Sequence, residues 1–151
     1  MDSNFVLVAD DDPACREALV LTLQLLGIPV ISANDGVQAV EAAIANRPRL
    51  IFMDLDMPNA DGLQATRRIH QQHGLAETPI VAMSAHCDSQ RWQAFKAECV
   101  DWLKKPWTFE QVSETLNRFW LRDADAVRSA SAESRSLTPG SAARAAHQRT
   151  A

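Results

Sequence analysis

The sequence predicts an α/β fold of five β-α units, a parallel sheet with helices on both faces. Three observations predict it. Short β-branched apolar runs alternate with helical stretches along the first 121 residues. The runs at 5–9, 49–53 and 79–83 are almost continuously apolar, as suits strands buried on both sides. Each run is separated from the next by a stretch long enough for a crossover helix, which parallel strands require.

The elements follow in order. "NFVLVAD" is the first strand. "PACREALVLTLQLLG" has helical periodicity, with Pro13 at its start and Gly27 at its end. "IPVISA" is the second strand, and "DGVQAVEAAIANRP" a helix that stops before Pro48. "RLIFMDL" is the third strand, followed by "DGLQATRRIHQQHG", a helix capped by Gly74. "TPIVAMSA" and "DSQRWQAFKAEC" form the fourth pair. "VDWLKKP" is a short fifth strand. "TFEQVSETLNRFWL" is the last helix, and its Thr108 and Gln111 fit a capping box.

Bulk properties narrow the function. With 151 residues the chain has room for one domain with a real core. Its net charge of −4 gives no case for nucleic-acid binding. Cys15, Cys87 and Cys99 are widely spaced and odd in number, and read as buried, reduced thiols of a reducing compartment. The histidines lack metal-ligand spacing. No basic leader and no stretch of membrane-spanning length is present, so the expected location is the cytoplasm. Composition changes at residue 122: residues 122–151 are mostly Ala, Ser and Arg with almost no large apolar side chains. That segment cannot offset its ordering entropy by burial and is expected to be a disordered tail. The tail carries a charge of +2 and residues 1–121 a charge of −6.

In open α/β sheets ligands bind beyond the carboxyl ends of the strands. The first strand ends in Asp10-Asp11-Asp12, the third in Asp54, the fourth in Ser84 and the fifth in Lys104-Lys105-Pro106. Clustered carboxylates repel one another and need a cation. Mg²⁺ takes oxygen ligands and retains waters. A carboxylate can also attack phosphorus and form an aspartyl phosphate. Such a transfer otherwise needs positioning and neutralisation of the phosphoryl oxygens, which a hydroxyl, an ammonium and Mg²⁺ supply. Asp54, at the end of the apolar run "IFMD", is the candidate nucleophile.

The stretches "VLVADDDPACRE", "NDGVQAVEA", "LIFMDLDMPNADGLQATRRI", "TPIVAMSAH" and "DWLKKPW" resemble the receiver domains of two-component response regulators, most of all the subtype of hybrid sensor kinases and phosphorelays. The resemblance covers residues 4 to about 121. It implies a flavodoxin-like doubly wound (βα)5 sandwich with strand order 2-1-3-4-5. It implies that Asp54 is the phosphoacceptor. Asp10 and Asp11 match the family's metal-binding acidic pair, Asp11 ligating Mg²⁺ directly and Asp10 through water, and the Asp56 backbone carbonyl is a further ligand. Ser84 matches the hydroxyl that bonds the phosphoryl oxygen, and Lys105 the ammonium that pairs with it. The Lys105-Pro106 bond is expected to be cis. Trp102 matches the aromatic switch residue. The family usually has Tyr or Phe at that position, Gly-Ala where Glu98-Cys99 stand, and Phe or Ile where Trp107 stands.

The resemblance further implies that a sensor histidine kinase or a histidine phosphotransfer protein donates the phosphoryl group. A downstream protein, or a second copy in a phosphorylation-dependent dimer, then meets the surface of the fourth helix, fifth strand and fifth helix. Only about thirty residues follow, so no output domain is expected in them. Simpler readings stand beside these. Asp12 is the expected N-cap before Pro13. Ser84 or Lys105 alone would signify little, and Trp92 and Trp120 read as packing residues. A different class is an aspartyl-phosphate phosphatase, because "DLD" resembles the Asp-x-Asp motif of haloacid dehalogenases. That family carries the motif on its first strand, whereas here it lies on the third.

Overall fold

The apolar runs become strands and the periodic stretches become helices. A computed structural model of the chain describes residues 4–121; the tail expected from residue 122 lies outside the described residues. The strands are β1 (Val6–Ala9), β2 (Val30–Ala33), β3 (Leu50–Asp54), β4 (Ile80–Ser84) and β5 (Asp101–Lys104). They form one sheet in the order β2-β1-β3-β4-β5, with every neighbouring pair parallel. β1, β3 and β4 are buried along their whole length, as their unbroken apolar sequence requires. The sheet order reverses its direction of growth at β1. The crevice between the carboxyl ends of β1 and β3 is therefore the switch point of this fold.

Five helices cover the sheet: α1 (Pro13–Leu25), α2 (Gly36–Asn46), α3 (Gly62–His70), α4 (Gln90–Ala97) and α5 (Phe109–Leu116). Ala39 and Ala43 of α2, Ala65 and Ile69 of α3, and Trp92 and Phe95 of α4 pack in one cluster with Leu7, Ala9, Ile51, Met53, Ile80 and Ala82 of the sheet. Trp92, expected as a packing residue, is 1% exposed. Side chains alternate along a strand, so Val8, Phe52 and Met83 point to the opposite face. Leu19 and Leu23 are the buried residues of α1.

Local chemistry sets the ends. Asp12 caps α1 by accepting the Ala14 N–H. The helix closes in a Schellman arrangement: Gly27 at φ +79° donates to the Gln24 carbonyl, and Ile28 to that of Leu23. Thr108 and Gln111 exchange the two bonds of a capping box, at 2.8 and 3.1 Å. Asp61 and Gln64 form a second box at the start of α3.

Most elements are a residue or two shorter at their ends than the sequence reading, and the differences at β2, α3 and the last helix are specific. β2 starts at Val30, after Pro29, which has no N–H to give a ladder. α3 ends at His70 rather than running to Gly74. Gln72 donates to the Ile69 carbonyl, three residues back, which tightens the chain out of the α-helix, and Gly74 at φ +82° then turns it towards β4. The last helix is not continuous to residue 121; α5 stops at Leu116 and a π-helical turn spans Asn117–Leu121. By internal packing the chain separates into Met1–Thr115 and Leu116–Ala151, and of the second unit only Leu116–Leu121 is described. No helix among the described residues is long and apolar enough to cross a membrane.

Candidate functional site

The site is built from the strand ends. Asp10 follows β1, and its N–H bonds the Ala33 carbonyl of β2 at 3.1 Å. Its side chain is almost wholly buried and accepts the Asp12 N–H at 3.0 Å, while Arg16 of α1 donates to its backbone carbonyl at 2.8 Å. Asp54 is the last residue of β3 and is 3% exposed. One carboxylate oxygen each from Asp10, Asp11 and Asp54 lie within 4.8 Å of one another. Lys105, just past β5, reaches back over the strand ends. Its Nζ lies 2.7 Å from Asp10 Oδ2 and 3.3 Å from Asp54 Oδ1. The Lys105-Pro106 peptide bond is cis.

Asp10 and Asp54 share the Lys105 ammonium, and the balance of charge is visible in the acidity of Asp54 and Lys105. Burial pushes the Asp54 carboxyl up to about 7; Lys105 pulls it down, while Asp10 adds to the rise. Burial also disfavours the charged Lys105, but its hydrogen bond to Asp10 and the charges of Asp54 and Asp10 outweigh this and hold its pKa above the usual value. The cluster therefore carries more negative charge than its one cation neutralises. Two buried carboxylates and one exposed, all oxygen donors, are a donor set that suits a hard divalent ion such as Mg²⁺.

The loop after Asp54 is held in place by close backbone approaches. A Cβ on Gly62 would sit 2.2 Å from the Asp54 carbonyl oxygen, and one on Gly36 would sit 1.9 Å from that of Ala60. Only glycine lets α2 and α3 come so near this loop. The Gly62 N–H donates to the Leu55 carbonyl at 2.8 Å, and Asn59, at φ +70°, donates through its side chain to Asp35 at 3.0 Å. The Asp56 side chain points to solvent, where Arg91 of α4 bridges it at 3.6 Å and Asp61 at 3.1 Å. The sequence reading did not single out Gly36 or Arg91. The Asp61-x-x-Gln64 capping pattern was the one local signal in that stretch.

Ser84 ends β4 beside the cluster, but its hydroxyl is engaged in its own loop. It donates to the His86 carbonyl at 2.9 Å and accepts the His86 N–H at 3.0 Å. Trp102 stands apart from the cluster. It lies on the outer side of β5 and is 52% exposed. Leu103, its neighbour, is buried on the other side. Glu98 pairs with Arg67, tying the end of α4 to α3. The cysteines are partly rather than fully buried, because each lies at an element end or in a loop. Burial, with some help from Glu98, pushes the Cys99 thiol up to about 12.

The comparisons with known proteins agree with this geometry. The family model of the response regulator receiver domain matches residues 6–117. The chain is 30% identical over 136 residues to the DNA-binding dual master transcriptional regulator RpaA of Synechocystis sp., spanning 89% of this chain and 56% of that protein. It is 34% identical over 129 residues to the response regulator MprA of Mycobacterium ulcerans, spanning 82% and 55%. The chain thus spans about half the length of these curated relatives. Among solved structures, the receiver domain of the sensor histidine kinase PA1611 from Pseudomonas aeruginosa, with a magnesium ion coordinated in its active-site cleft, superposes with a TM-score of 0.73 at 29% identity. That match covers 78% of this chain and 98% of the other. The chemotaxis protein CheY4 of Vibrio cholerae superposes with a TM-score of 0.72 at 30% identity, covering 78% and 99%. The parallel sheet in the order 2-1-3-4-5 and the acidic cluster at its switch point fit the family that these comparisons point to. The chain belongs to the receiver domain family of response regulators.

Proposed function

We propose that Asp54 accepts a phosphoryl group from a phosphohistidine and that the chain acts as a receiver in two-component signalling or a phosphorelay. The observation that carries this reading is the convergence of Asp10, Asp11, Asp54 and Lys105 at one crevice. An Asp54 oxygen attacks phosphorus, the donor's P–N bond breaks as the O–P bond forms, and the released imidazole takes a proton. Attack needs the ionised carboxylate. Asp11, Asp54, the Asp56 carbonyl and, through water, Asp10 would hold Mg²⁺, which would supply positive charge to the carboxylates and to the phosphoryl oxygens. Lys105 moves from pairing two carboxylates to pairing the phosphoryl group. Ser84 exchanges its bonds to His86 for one to a phosphoryl oxygen, and Trp102 packs inward behind it.

The donor on this reading is a sensor histidine kinase or a histidine phosphotransfer protein, with the hybrid-kinase subtype favoured by the similarity to PA1611. The output is a protein contact through α4, β5 and α5, or a phosphorylation-dependent dimer. The receiver spans residues 1–121, residues 122–151 form a separate tail, and the site of action is the cytoplasm.

The test is direct. With Mg²⁺ and acetyl phosphate, intact mass should increase by one phosphoryl group in the parent and not in Asp54→Asn. Equal labelling of the Asn variant would show that Asp54 is not the acceptor.

A further inference from the structure

Lys96 lies in the last turn of α4, and its ammonium stands 4.4 Å from the centre of the Trp102 ring. Among the described residues it forms no ion pair with a carboxylate. The indole face is therefore its electrostatic partner. Of the aromatic side chains, tryptophan attracts a cation most strongly.

The sheet register links this pair to the site. Trp102 is paired with Ala82 and Lys104 with Ser84. In a parallel sheet paired residues share a face, and so do residues two apart on one strand. Trp102 and Ser84 thus lie on the same face, the face that α4 covers through Trp92 and Phe95. Lys105 and Asp54 belong to the opposite one. A shift of the Ser84 loop changes the room beside Ala82 that the indole can enter. The Lys96 ammonium stands over that indole, which is half exposed.

We propose that Lys96 is a positioning residue that locks the receiver's resting state. It stabilises Trp102 in the outward arrangement and so weakens phosphoryl binding at Asp54. This rests on the reading of Asp54, Ser84 and Trp102 given above. The large indole resists the inward state by size, and Lys96 adds an attraction specific to the outward state. A contact made in only one of two states shifts their balance by its own strength. For a half-exposed cation–π pair that is a roughly two- to fivefold change in the equilibrium. Linkage transfers the same factor to any ligand that requires the inward state.

The experiment titrates the full chain with beryllofluoride at saturating Mg²⁺, reading affinity by calorimetry. Lys96→Met keeps the aliphatic stem and removes the charge, and it should bind roughly two- to fivefold more tightly than the parent. Lys96→Arg should match the parent. In a Trp102→Leu background, Lys96→Met should change nothing, which separates the lock from a general effect on α4. The resting contact has its own readout: the Lys96 side-chain methylene protons should be shifted upfield by the ring and lose that shift in Trp102→Leu. If the parent binds beryllofluoride and Lys96→Met binds no tighter, the lock is wrong and the reading of the site stands. Tightening that persists without Trp102 also overturns it. If the parent does not bind beryllofluoride at all, the site reading fails and the lock falls with it.

Discussion

The burial of Asp54 carries a cost in stability. Its carboxyl is raised from the ordinary 3.8 to about 7, first by burial. Below the lower value the group is protonated in both folded and unfolded chains. Between the two values the unfolded chain has released the proton and the folded one still holds it, so stability falls as pH rises through this window and levels off above it. Asp54→Asn cannot ionise and escapes that loss. Without Mg²⁺ at pH 7.5 the variant should melt several degrees above the parent, at about 4 °C per kcal/mol in a domain of this size. The advantage should shrink as pH approaches 4. Melting curves in a chelator at the two pH values check this, and a variant no more stable than the parent at pH 7.5 would mean that burying Asp54 beside Asp10 costs nothing. Lys105 does not abolish the effect because it also serves Asp10, which it meets at the shorter distance, 2.7 against 3.3 Å.

At the scale of elements, the start of α3 shows how a helix can set the end of a strand. Its capping box satisfies the first backbone donors, and Gly62 lets the helix begin against the Asp54 carbonyl. A methyl group there meets backbone atoms, which cannot swing aside. Gly62→Ala should therefore displace either α3 or the β3 end, at a cost of roughly 1–3 kcal/mol. It should also slow phosphorylation of Asp54, since nucleophiles displaced from their attack geometry lose rate steeply. Chemical denaturation and acetyl phosphate labelling measure the two effects. A stable variant that labels at the parental rate would show that the loop absorbs the methyl group without moving Asp54. The loop has further attachments, through Asn59 to Asp35 and through Asp56 and Asp61 to Arg91. The Arg91 pairs are exposed and contribute little to stability by themselves.

For the whole molecule, the excess negative charge at one end of the sheet should couple folding to a divalent ion. An ion that binds only the folded chain stabilises it by mass action, by about 2.7 kcal/mol at a hundredfold excess over its dissociation constant. That corresponds to a rise of about 10 °C in melting temperature here. EDTA should reverse the rise, and Asp11→Asn, which leaves the buried pair intact, should reduce it. An unchanged melting temperature across a millimolar Mg²⁺ titration would argue that the cluster holds no ion.

Much of this was legible in the sequence because it is local or periodic. Unbroken apolar runs at 5–9, 49–53 and 79–83 can be only buried strands when helices separate them, and that pattern determined a parallel doubly wound sheet. The acidic strand ends and the Lys105-Pro106 step were visible as residue types at strand termini, and the Thr108–Gln111 box as a capping pattern. The exact ends of α3 and of the last helix were not, because the switch from α-helical to tighter or wider bonding depends on packing rather than on propensity. Only the tertiary structure decided that Gly36 and Gly62 are obligatory, since their reason is a carbonyl on a distant segment. It alone decided that Arg91 meets Asp56 and Asp61 and that Lys96 faces Trp102. Each of these is a meeting of side chains whose partner is chosen by how helices and loops settle on the sheet. No spacing along the chain encodes that choice.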